Sequence, residues 1–167
     1  ELGSFSKMAG FSGVRLGWTI VPHQITYSDG TALKQDWARL IATYFNGASN
    51  IAQAGGLALL SDEGLLASAS MRHYYLENAD ILKAALRKAH FQVSGGKDAP
   101  YLWVATNNLN SWDFTLALLE KLHILVSPGS GFGSAGEGFV RTSCYGHRHD
   151  IQEAAHRLAN FNMSQLS

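Results

Sequence analysis

The sequence predicts an α/β protein whose last part is a compact α+β unit, joined by a long helix to the end of a larger domain. Three observations predict this fold. Hydrophobic residues make up 46% of the 167 residues and charged residues 16%, which is typical of a packed globular core. A helical pattern runs from about residue 65 to residue 90. Short strand and helix patterns then follow in the order β-β-α-β-β-α.

The charge balance and the apolar runs argue against two classes of partner. Thirteen lysines and arginines balance thirteen aspartates and glutamates, so nothing in the net charge favours binding to nucleic acid or to an anionic membrane surface. The longest apolar runs are too short to span a bilayer. The single cysteine, Cys144, excludes an internal disulfide framework and favours a reducing compartment.

The first part of the chain predicts two strands followed by an interrupted helix. Residues 1–7 are typical of a strand that runs into a turn, and residues 14–21, VRLGWTIV, predict a buried strand. Residues 31–60 have helical apolar spacing that FNGASN at 45–50 interrupts. Ser61 is the candidate N-cap of the long helix.

The second part predicts an α+β unit with a glycine-rich loop, GSGFGSAGEG, at residues 129–138. Ser111 is the predicted N-cap of its first helix, and Tyr101 and Trp103 are predicted to pack in the core. The strands are expected at 91–93, 101–106, 123–129 and 139–145, and the helices at 111–122 and 150–162.

Two cations stand in the stretch SFSKMAGFSGVRLGW, residues 4–18, among small and apolar residues. A lysine here is either a solvated surface residue or an amine held in a pocket, where desolvation makes it a nucleophile toward aldehydes. An arginine in a buried strand needs an anion. Serine hydroxyls, the amides of a glycine turn and an arginine together suit a phosphate group. Pyridoxal 5′-phosphate carries both an aldehyde and a phosphate.

The pattern S-x-S-K, followed by seven residues and an arginine, resembles the cofactor-lysine signature of the class I/II aminotransferases, which are fold-type I pyridoxal-phosphate enzymes. The resemblance implies that Lys7 forms a Schiff base with pyridoxal phosphate. It also implies that Ser4, Ser6 and Arg15 hold the phosphate. The expected fold is the C-terminal portion of such a transferase, with the end of the large domain, a connecting helix and a small α+β domain.

Arg141 is a second cation inside an apolar strand, FVRTS. From the residues alone, an ion pair with Glu137 or Asp150 remains open. The family resemblance implies that Arg141 binds the α-carboxylate of the substrate through a bidentate fork. Asn46 in FNGASN is either a helix-breaking turn residue or, by the same resemblance, a substrate-binding residue that reaches the active site of a partner subunit.

Four further stretches resemble one branch of this family: FNGASNIAQAGG, GGKDAPYLWV, PGSGFGSAGEGFVR and YGHR. That branch interconverts tetrahydrodipicolinate and LL-2,6-diaminopimelate in lysine biosynthesis, with glutamate and 2-oxoglutarate as the other pair. The resemblance implies amino-acid and 2-oxo-acid substrates, a homodimer, and a location in the bacterial cytoplasm or the plastid stroma.

The same resemblance divides the chain into the end of a large cofactor-binding domain (1–64), a connecting helix (65–90) and a small domain (91–167). Family residues that hold the pyridine ring precede the lysine, so we expect the chain to be an incomplete C-terminal part of a subunit. Two alternatives stay open: an aspartate-, alanine- or aromatic-type aminotransferase, and a non-catalytic fragment.

Two other patterns are weak. The three histidines His147, His149 and His156 do not suggest a metal site, because positions two apart do not share a helix face and no cysteine or carboxylate completes a ligand set. The stretch GSGFG is not G-x-G-x-x-G and lacks the βαβ setting of a dinucleotide site. We therefore expect no metal.

Overall fold

A computed structural model of the chain describes residues 1–161. These residues form two compact units, Glu1–Arg72 and a second that begins at His73. The division falls inside the longest helix, α4 (Asp62–Lys88). Within the described residues, no helix combines the length and the apolar content needed to cross a membrane.

The first unit is built from a small hairpin and three helical segments. In the hairpin Ser4 lies opposite Gly17, and the Phe5 N–H donates to the Leu16 carbonyl at 3.1 Å. A small buried cluster contains Phe5, Leu16 and Ala52. The elements before α4 are β1 (Leu2–Ser4), α1 (Phe5–Met8), β2 (Gly17–Thr19), α2 (Leu33–Leu40), a π-helical turn (Ile41–Phe45) and α3 (Asn50–Leu59).

A strand is present within residues 14–21, but it is shorter than predicted and mostly exposed, because β2 covers only Gly17–Thr19. The N–H groups of Val14 and Arg15 both donate to the Phe11 carbonyl, at 3.0 and 3.3 Å, which closes a tight turn. Arg15 lies exposed in this turn with φ of 63°. The argument that a buried-strand arginine needs an anion therefore does not apply to Arg15.

The interrupted helix and its boundary are confirmed. The π-helical turn that follows α2 is separated from α3 by residues 46–49, within the predicted break. Ser61 accepts a hydrogen bond from the Gly64 N–H at 3.2 Å, as expected for the residue before α4.

The second unit has a four-stranded antiparallel sheet with the order β3-β4-β6-β5. The predicted order β-β-α-β-β-α is confirmed, although β5 is much shorter than residues 123–129. The predicted end of the last helix, residue 162, lies outside the described residues. The elements are β3 (Val93–Gly95), β4 (Tyr101–Ala105), α5 (Ser111–Leu122), β5 (Ser127–Pro128), β6 (Phe139–Ser143) and α6 (Arg148–Ala159).

One face of this sheet is the core, and the other carries Arg141. Leu102, Val104 and Val140 are almost fully buried, and they pack with residues of α4, α5 and α6. Strand alternation places Arg141 on the opposite face. Thr142 is also buried, so the expected alternation in FVRTS is confirmed.

Tyr101 and Trp103 do not pack in the core, and that prediction is wrong. Each lies half-buried on the Arg141 face, because their neighbour Leu102 occupies the buried position of the strand. In a strand of period two, a shift of one residue moves a side chain to the other face. Trp103 lies directly opposite Arg141 in the ladder between β4 and β6.

A buried amide ties α4 to the chain beyond β6. The Asn78 side chain donates to the carbonyl oxygens of Cys144 and Gly146, at 3.1 and 3.0 Å, and Asn78 is fully buried.

Burial raises the pKa of the Cys144 thiol to about 12, so this cysteine stays protonated at neutral pH.

Candidate active site

The hairpin of the first unit brings Lys7 and Arg15 to the same end of a ladder. Ser4 is the last residue of β1, and Lys7 follows within α1. Because Ser4 pairs with Gly17, the segment that holds Arg15 lies beside the start of α1. The turn that carries Arg15 and the helix that carries Lys7 therefore both adjoin the Ser4–Gly17 end of this ladder, and convergence of the two side chains on one site stays a prediction.

A chain of hydrogen bonds links Ser4, Ser6 and Arg15. The Ser6 N–H donates to Ser4 Oγ at 3.1 Å, and this hydroxyl caps α1. Ser12 Oγ donates to the Ser6 carbonyl at 3.2 Å, and Arg15 Nη1 donates to the Ser12 carbonyl at 2.6 Å. These bonds hold the guanidinium group close to the turn that carries the two serines.

Two of the predicted site residues have left-handed backbone. Arg15 has φ of 63° and Asn46 has φ of 60°. Asparagine tolerates this region better than most residues, but arginine rarely adopts it. Such conformations are unfavourable by about 1 kcal/mol or more and are concentrated at functional sites. Outside the predicted site, four other non-glycine residues of the described chain share this backbone region: His90, Asn107, Asn108 and His123. The role of Arg15 therefore stays a prediction.

Asn46 ends the π-helical turn of the first unit. Its N–H donates to the Ile41 carbonyl at 2.8 Å, five residues back, and Gly47 continues in left-handed backbone. The sequence predicts a break here but not a π-helix. Single π-helical turns occur frequently at functional sites. Asn46 is exposed, and its role in substrate binding stays a prediction.

The donors of Ser4, Ser6 and Arg15 suit the phosphate of pyridoxal phosphate, whereas Lys7 is exposed in the described chain rather than enclosed in a pocket. The Ser4 hydroxyl accepts one hydrogen bond and keeps its proton to donate, and the half-buried Ser6 lies next to it. Arg15 uses Nη1 on a carbonyl, which leaves other N–H donors of its guanidinium for a phosphate. Lys7 supplies the amine that an aldehyde requires.

Arg141 lies against two aromatic rings on the open face of the second unit's sheet. Its guanidinium carbon is 4.7 Å from the centroid of the Tyr101 ring and 4.6 Å from that of Phe132. Its Nε is buried without a hydrogen-bond partner, and among residues 1–161 Arg141 forms no salt bridge. Whether it faces the same site as Lys7 stays a prediction.

Neither carboxylate considered as a partner for Arg141 pairs with it. Glu137 accepts hydrogen bonds from the N–H of Ser111 at 2.6 Å and of Gly138 at 3.0 Å. These amides, first that of Ser111, lower the pKa of the Glu137 carboxyl. Asp150 lies 3.4 Å from His149 Nδ1. The ion pair considered for Arg141 is therefore not formed with either residue.

Ser111 does not cap α5, contrary to the prediction. The cap is Asn110, whose side-chain oxygen accepts a hydrogen bond from the Asp113 N–H at 2.8 Å. The Ser111 hydroxyl instead donates to Glu137 Oε2 at 3.1 Å and contacts Ser130 Oγ at 2.9 Å. Both ends of the glycine-rich loop are thus attached to the start of α5.

Three roles cannot be recognised in the sequence. Tyr101 and Phe132 are the ring contacts of Arg141, and Glu137 is the anchor of the glycine-rich loop. The stretch GSGFG does contain Phe132, but its spacing to Arg141 identifies no contact. Assigning Leu102 to the buried face of β4 would have placed Tyr101 on the face that carries Arg141.

In the part of the chain that the structure describes, no group of three or more histidines, cysteines or carboxylates could hold a metal ion.

Residues 1–158 match the family model of aminotransferase class I and II. The match covers most of the chain, so the chain belongs to this family. Its fold matches that of the fold-type I aminotransferases and is consistent with their C-terminal portion.

Relatives of the chain include LL-diaminopimelate aminotransferases. The chain is 52% identical over 158 residues to the enzyme of that name from Protochlamydia amoebophila, and 52% identical to the chloroplastic one from Arabidopsis thaliana. It also superposes on the L,L-diaminopimelate aminotransferase structure from Chlamydomonas reinhardtii with a TM-score of 0.90 and 52% identity, which covers 93% of this chain and 38% of that one. An aromatic aminotransferase structure from Pyrococcus horikoshii matches with a TM-score of 0.79 and 25% identity, covering 95% and 41% of the two chains.

The alignments with the Protochlamydia and Arabidopsis relatives cover 95% of this chain. The chain spans 38% and 34% of the length of these two proteins. It therefore corresponds to a little over a third of each relative.

Proposed function

We propose that the full-length protein is an aminotransferase that interconverts tetrahydrodipicolinate and LL-2,6-diaminopimelate, with glutamate and 2-oxoglutarate as the other pair. The observation that carries the proposal is the 52% identity to LL-diaminopimelate aminotransferases along 95% of the chain. Identity to the aromatic aminotransferase is only 25%. We further propose that the enzyme is a homodimer of lysine biosynthesis, in the bacterial cytoplasm or the plastid stroma.

In this proposal the first unit holds the cofactor and moves the proton. Ser4, Ser6 and Arg15 bind the phosphate of pyridoxal phosphate, and Lys7 binds its aldehyde. The bound cofactor supplies the electron sink that makes the substrate Cα–H acidic. The free Lys7 amine would remove the proton from the substrate Cα and act as general base and acid.

The second unit binds and orients the substrate. Arg141 holds the α-carboxylate through a bidentate fork, for which a guanidinium without a carboxylate partner is suited. A carboxylate held in this way fixes the orientation of the Cα–H bond, on which removal of the proton depends. Asn46 reaches the substrate in the site of the partner subunit. In this proposal the large domain ends with residues 1–64, the connecting helix is residues 65–90, and the small domain is residues 91–167.

The test is donor specificity of the purified full-length enzyme with pyridoxal phosphate. Glutamate formation from 2-oxoglutarate is measured with LL-2,6-diaminopimelate, aspartate, alanine or phenylalanine as the amino donor. We expect kcat/KM for LL-2,6-diaminopimelate to exceed the others by about 100-fold, which is about 2.7 kcal/mol in transition-state binding. Equal or better turnover of another donor would assign the protein to a different aminotransferase. Absence of turnover with all four donors would contradict the proposed reaction.

A further inference from the structure

We propose that Tyr101 and Phe132 are positioning residues that hold the Arg141 guanidinium in place as a site for a substrate carboxylate. This inference rests on the proposed function, because it concerns how the enzyme binds its amino-acid and 2-oxo-acid substrates. It starts from the contact of one guanidinium group with two rings, at 4.7 and 4.6 Å.

The rings attract the cation without neutralising it. An aromatic face interacts favourably with a guanidinium group through its quadrupole, but it accepts no conventional hydrogen bond from the in-plane N–H donors. Arg141 Nε is buried and has no hydrogen-bond partner, and Arg141 forms no salt bridge within the described part of the chain. A planar carboxylate would satisfy these donors through two parallel hydrogen bonds.

The Phe132 ring is held by a network that is separate from the arginine. The loop that carries it is anchored on both sides to Ser111: the Ser130 N–H donates to Ser111 Oγ at 3.3 Å, and Glu137 accepts from both the N–H and the hydroxyl of Ser111. A Cβ at Gly129 would overlap the Gly136 carbonyl, so the loop backbone closes tightly on itself. The ring is thus presented by a fixed loop, although 53% of Phe132 is exposed.

The Tyr101 ring is held by the sheet. Its strand pairs with β6 in a register that places Trp103 opposite Arg141 and Tyr101 opposite Ser143, so Tyr101 is a diagonal neighbour of Arg141 on the same face. The ring also packs against Tyr145, with centroids 5.4 Å apart. The long, flexible side chain of Arg141 is therefore restrained by the Phe132 ring of the loop and the Tyr101 ring of the strand. Less conformational entropy is then lost when the arginine binds a carboxylate.

The test uses the full-length enzyme with Phe132→Leu and Tyr101→Leu, beside the conservative variants Phe132→Tyr and Tyr101→Phe. Phe139→Leu is the matched control, because Phe139 lies on the same sheet face and stacks on Trp103 at 5.7 Å. Two quantities are measured for each variant. One is KM and kcat for LL-2,6-diaminopimelate and 2-oxoglutarate, and the other is the Kd of glutarate by calorimetry. Glutarate carries carboxylates but no reacting amine or ketone.

We expect each leucine variant to raise both KM values and the glutarate Kd about tenfold, with kcat within about threefold of wild type. The conservative variants and Phe139→Leu should stay within about twofold of wild type. Thermal unfolding of each variant distinguishes loss of binding from loss of fold.

The outcomes separate this inference from the proposed function. If wild type turns over the substrate and both leucine variants keep its KM values and its glutarate Kd, the positioning role is wrong and the proposed reaction stands. No turnover by wild type, combined with weaker glutarate binding in the leucine variants, would overturn the proposed reaction and support the carboxylate site. If wild type neither turns over substrate nor binds glutarate, both are wrong.

Discussion

Lys7 is the residue on which the proposed chemistry depends most. It lies in α1, three residues after Ser4, which caps this short helix. We predict that Lys7→Ala in the full-length enzyme abolishes transamination but retains some pyridoxal phosphate. The amine is required for the proton transfer, whereas the serine hydroxyls and Arg15 hold the phosphate separately.

The measurements for Lys7→Ala are glutamate formation and the cofactor content per subunit after dialysis. Lys34→Ala is the matched control, since Lys34 is an exposed lysine of the same unit whose Nζ contacts His23 at 3.1 Å. The control should keep full activity. Substantial turnover by Lys7→Ala without added amines would refute the role of Lys7.

Arg141 differs from Arg148 and Arg157 of the second unit in having aromatic rings but no carboxylate partner among the described residues. Arg148 pairs with Glu77 at 2.6 Å, and Arg157 pairs with Glu153 at 2.9 Å. We predict that Arg141→Lys raises KM for both amino donors by about 10- to 100-fold, because a lysine cannot form the bidentate fork and loses about 1.5–3 kcal/mol of charge-assisted hydrogen bonding.

Steady-state kinetics of full-length Arg141→Lys with LL-2,6-diaminopimelate and glutamate checks this prediction. Arg157→Lys serves as the control, because it keeps a cation at an arginine that already has a protein carboxylate. A wild-type KM for both donors in Arg141→Lys would show that the bidentate contact is not made.

At the scale of elements, the start of α5 is the anchor of the glycine-rich loop. The Glu137 carboxylate accepts the Ser111 N–H at the first residue of this helix, where the helix dipole favours a negative charge. This interaction, with the Gly138 N–H, lowers the folded-state pKa of Glu137. A lowered folded-state pKa stabilises the fold above the unfolded pKa of about 4.3, and the stabilisation is lost as pH falls through the folded value.

We therefore predict that Glu137→Gln lowers the thermal unfolding midpoint at pH 7, and that its difference from wild type shrinks as pH falls below about 4. Melting curves of the full-length protein between pH 3.5 and pH 7 measure this. Glu120→Gln, near the other end of α5, controls for the loss of one negative charge. A Glu137→Gln difference that grows on acidification would contradict the assigned hydrogen bonds.

At the scale of the whole molecule, the two units have unequal cores. Among residues 1–161, the core of the second unit contains sixteen buried apolar residues and that of the first contains three. The first unit also exposes large apolar side chains, including Tyr44 at 83%, Ile51 at 87% and Leu57 at 74%. Local stability follows the buried apolar contacts.

We predict that amide hydrogens of β4 and β6 exchange much more slowly than those of β1 and β2 in the isolated chain of residues 1–167. Hydrogen exchange followed by mass spectrometry compares these strands within one sample, so each serves as the internal reference for the other. Equal protection in β1 and β6 would show that the small core of the first unit is sufficient to stabilise it.

We also predict that residues 1–167 alone do not turn over LL-2,6-diaminopimelate. The chain spans 38% of the length of the Protochlamydia relative, and the exposed apolar surface of its first unit favours aggregation over a fixed Lys7 geometry. The assay adds pyridoxal phosphate and 2-oxoglutarate to the isolated chain, beside the full-length enzyme. Activity within about tenfold of the full-length enzyme, a difference of about 1.4 kcal/mol in barrier, would contradict this prediction.

The sequence by itself determined the order of elements after residue 90, the extent of α4 to within three residues at each end, and the break in the helix at Asn46. It also contains the motif from which the chemistry of Lys7 and its serines is proposed. These features depend on local spacing, helix propensity and capping, all of which act between residues close in sequence.

The tertiary structure alone decided the backbone of Arg15, the face of Tyr101 and the surroundings of Arg141. A turn closed on the Phe11 carbonyl replaced the predicted strand at Arg15. Hydrogen bonds to the distant Ser111 bind Glu137 at the start of α5. Burial of Leu102 placed Tyr101 against the arginine. Each outcome depends on contacts between residues far apart in sequence, which no local pattern determines. The face on which a strand residue lies, and the partner that a polar group takes, are settled only when the elements pack.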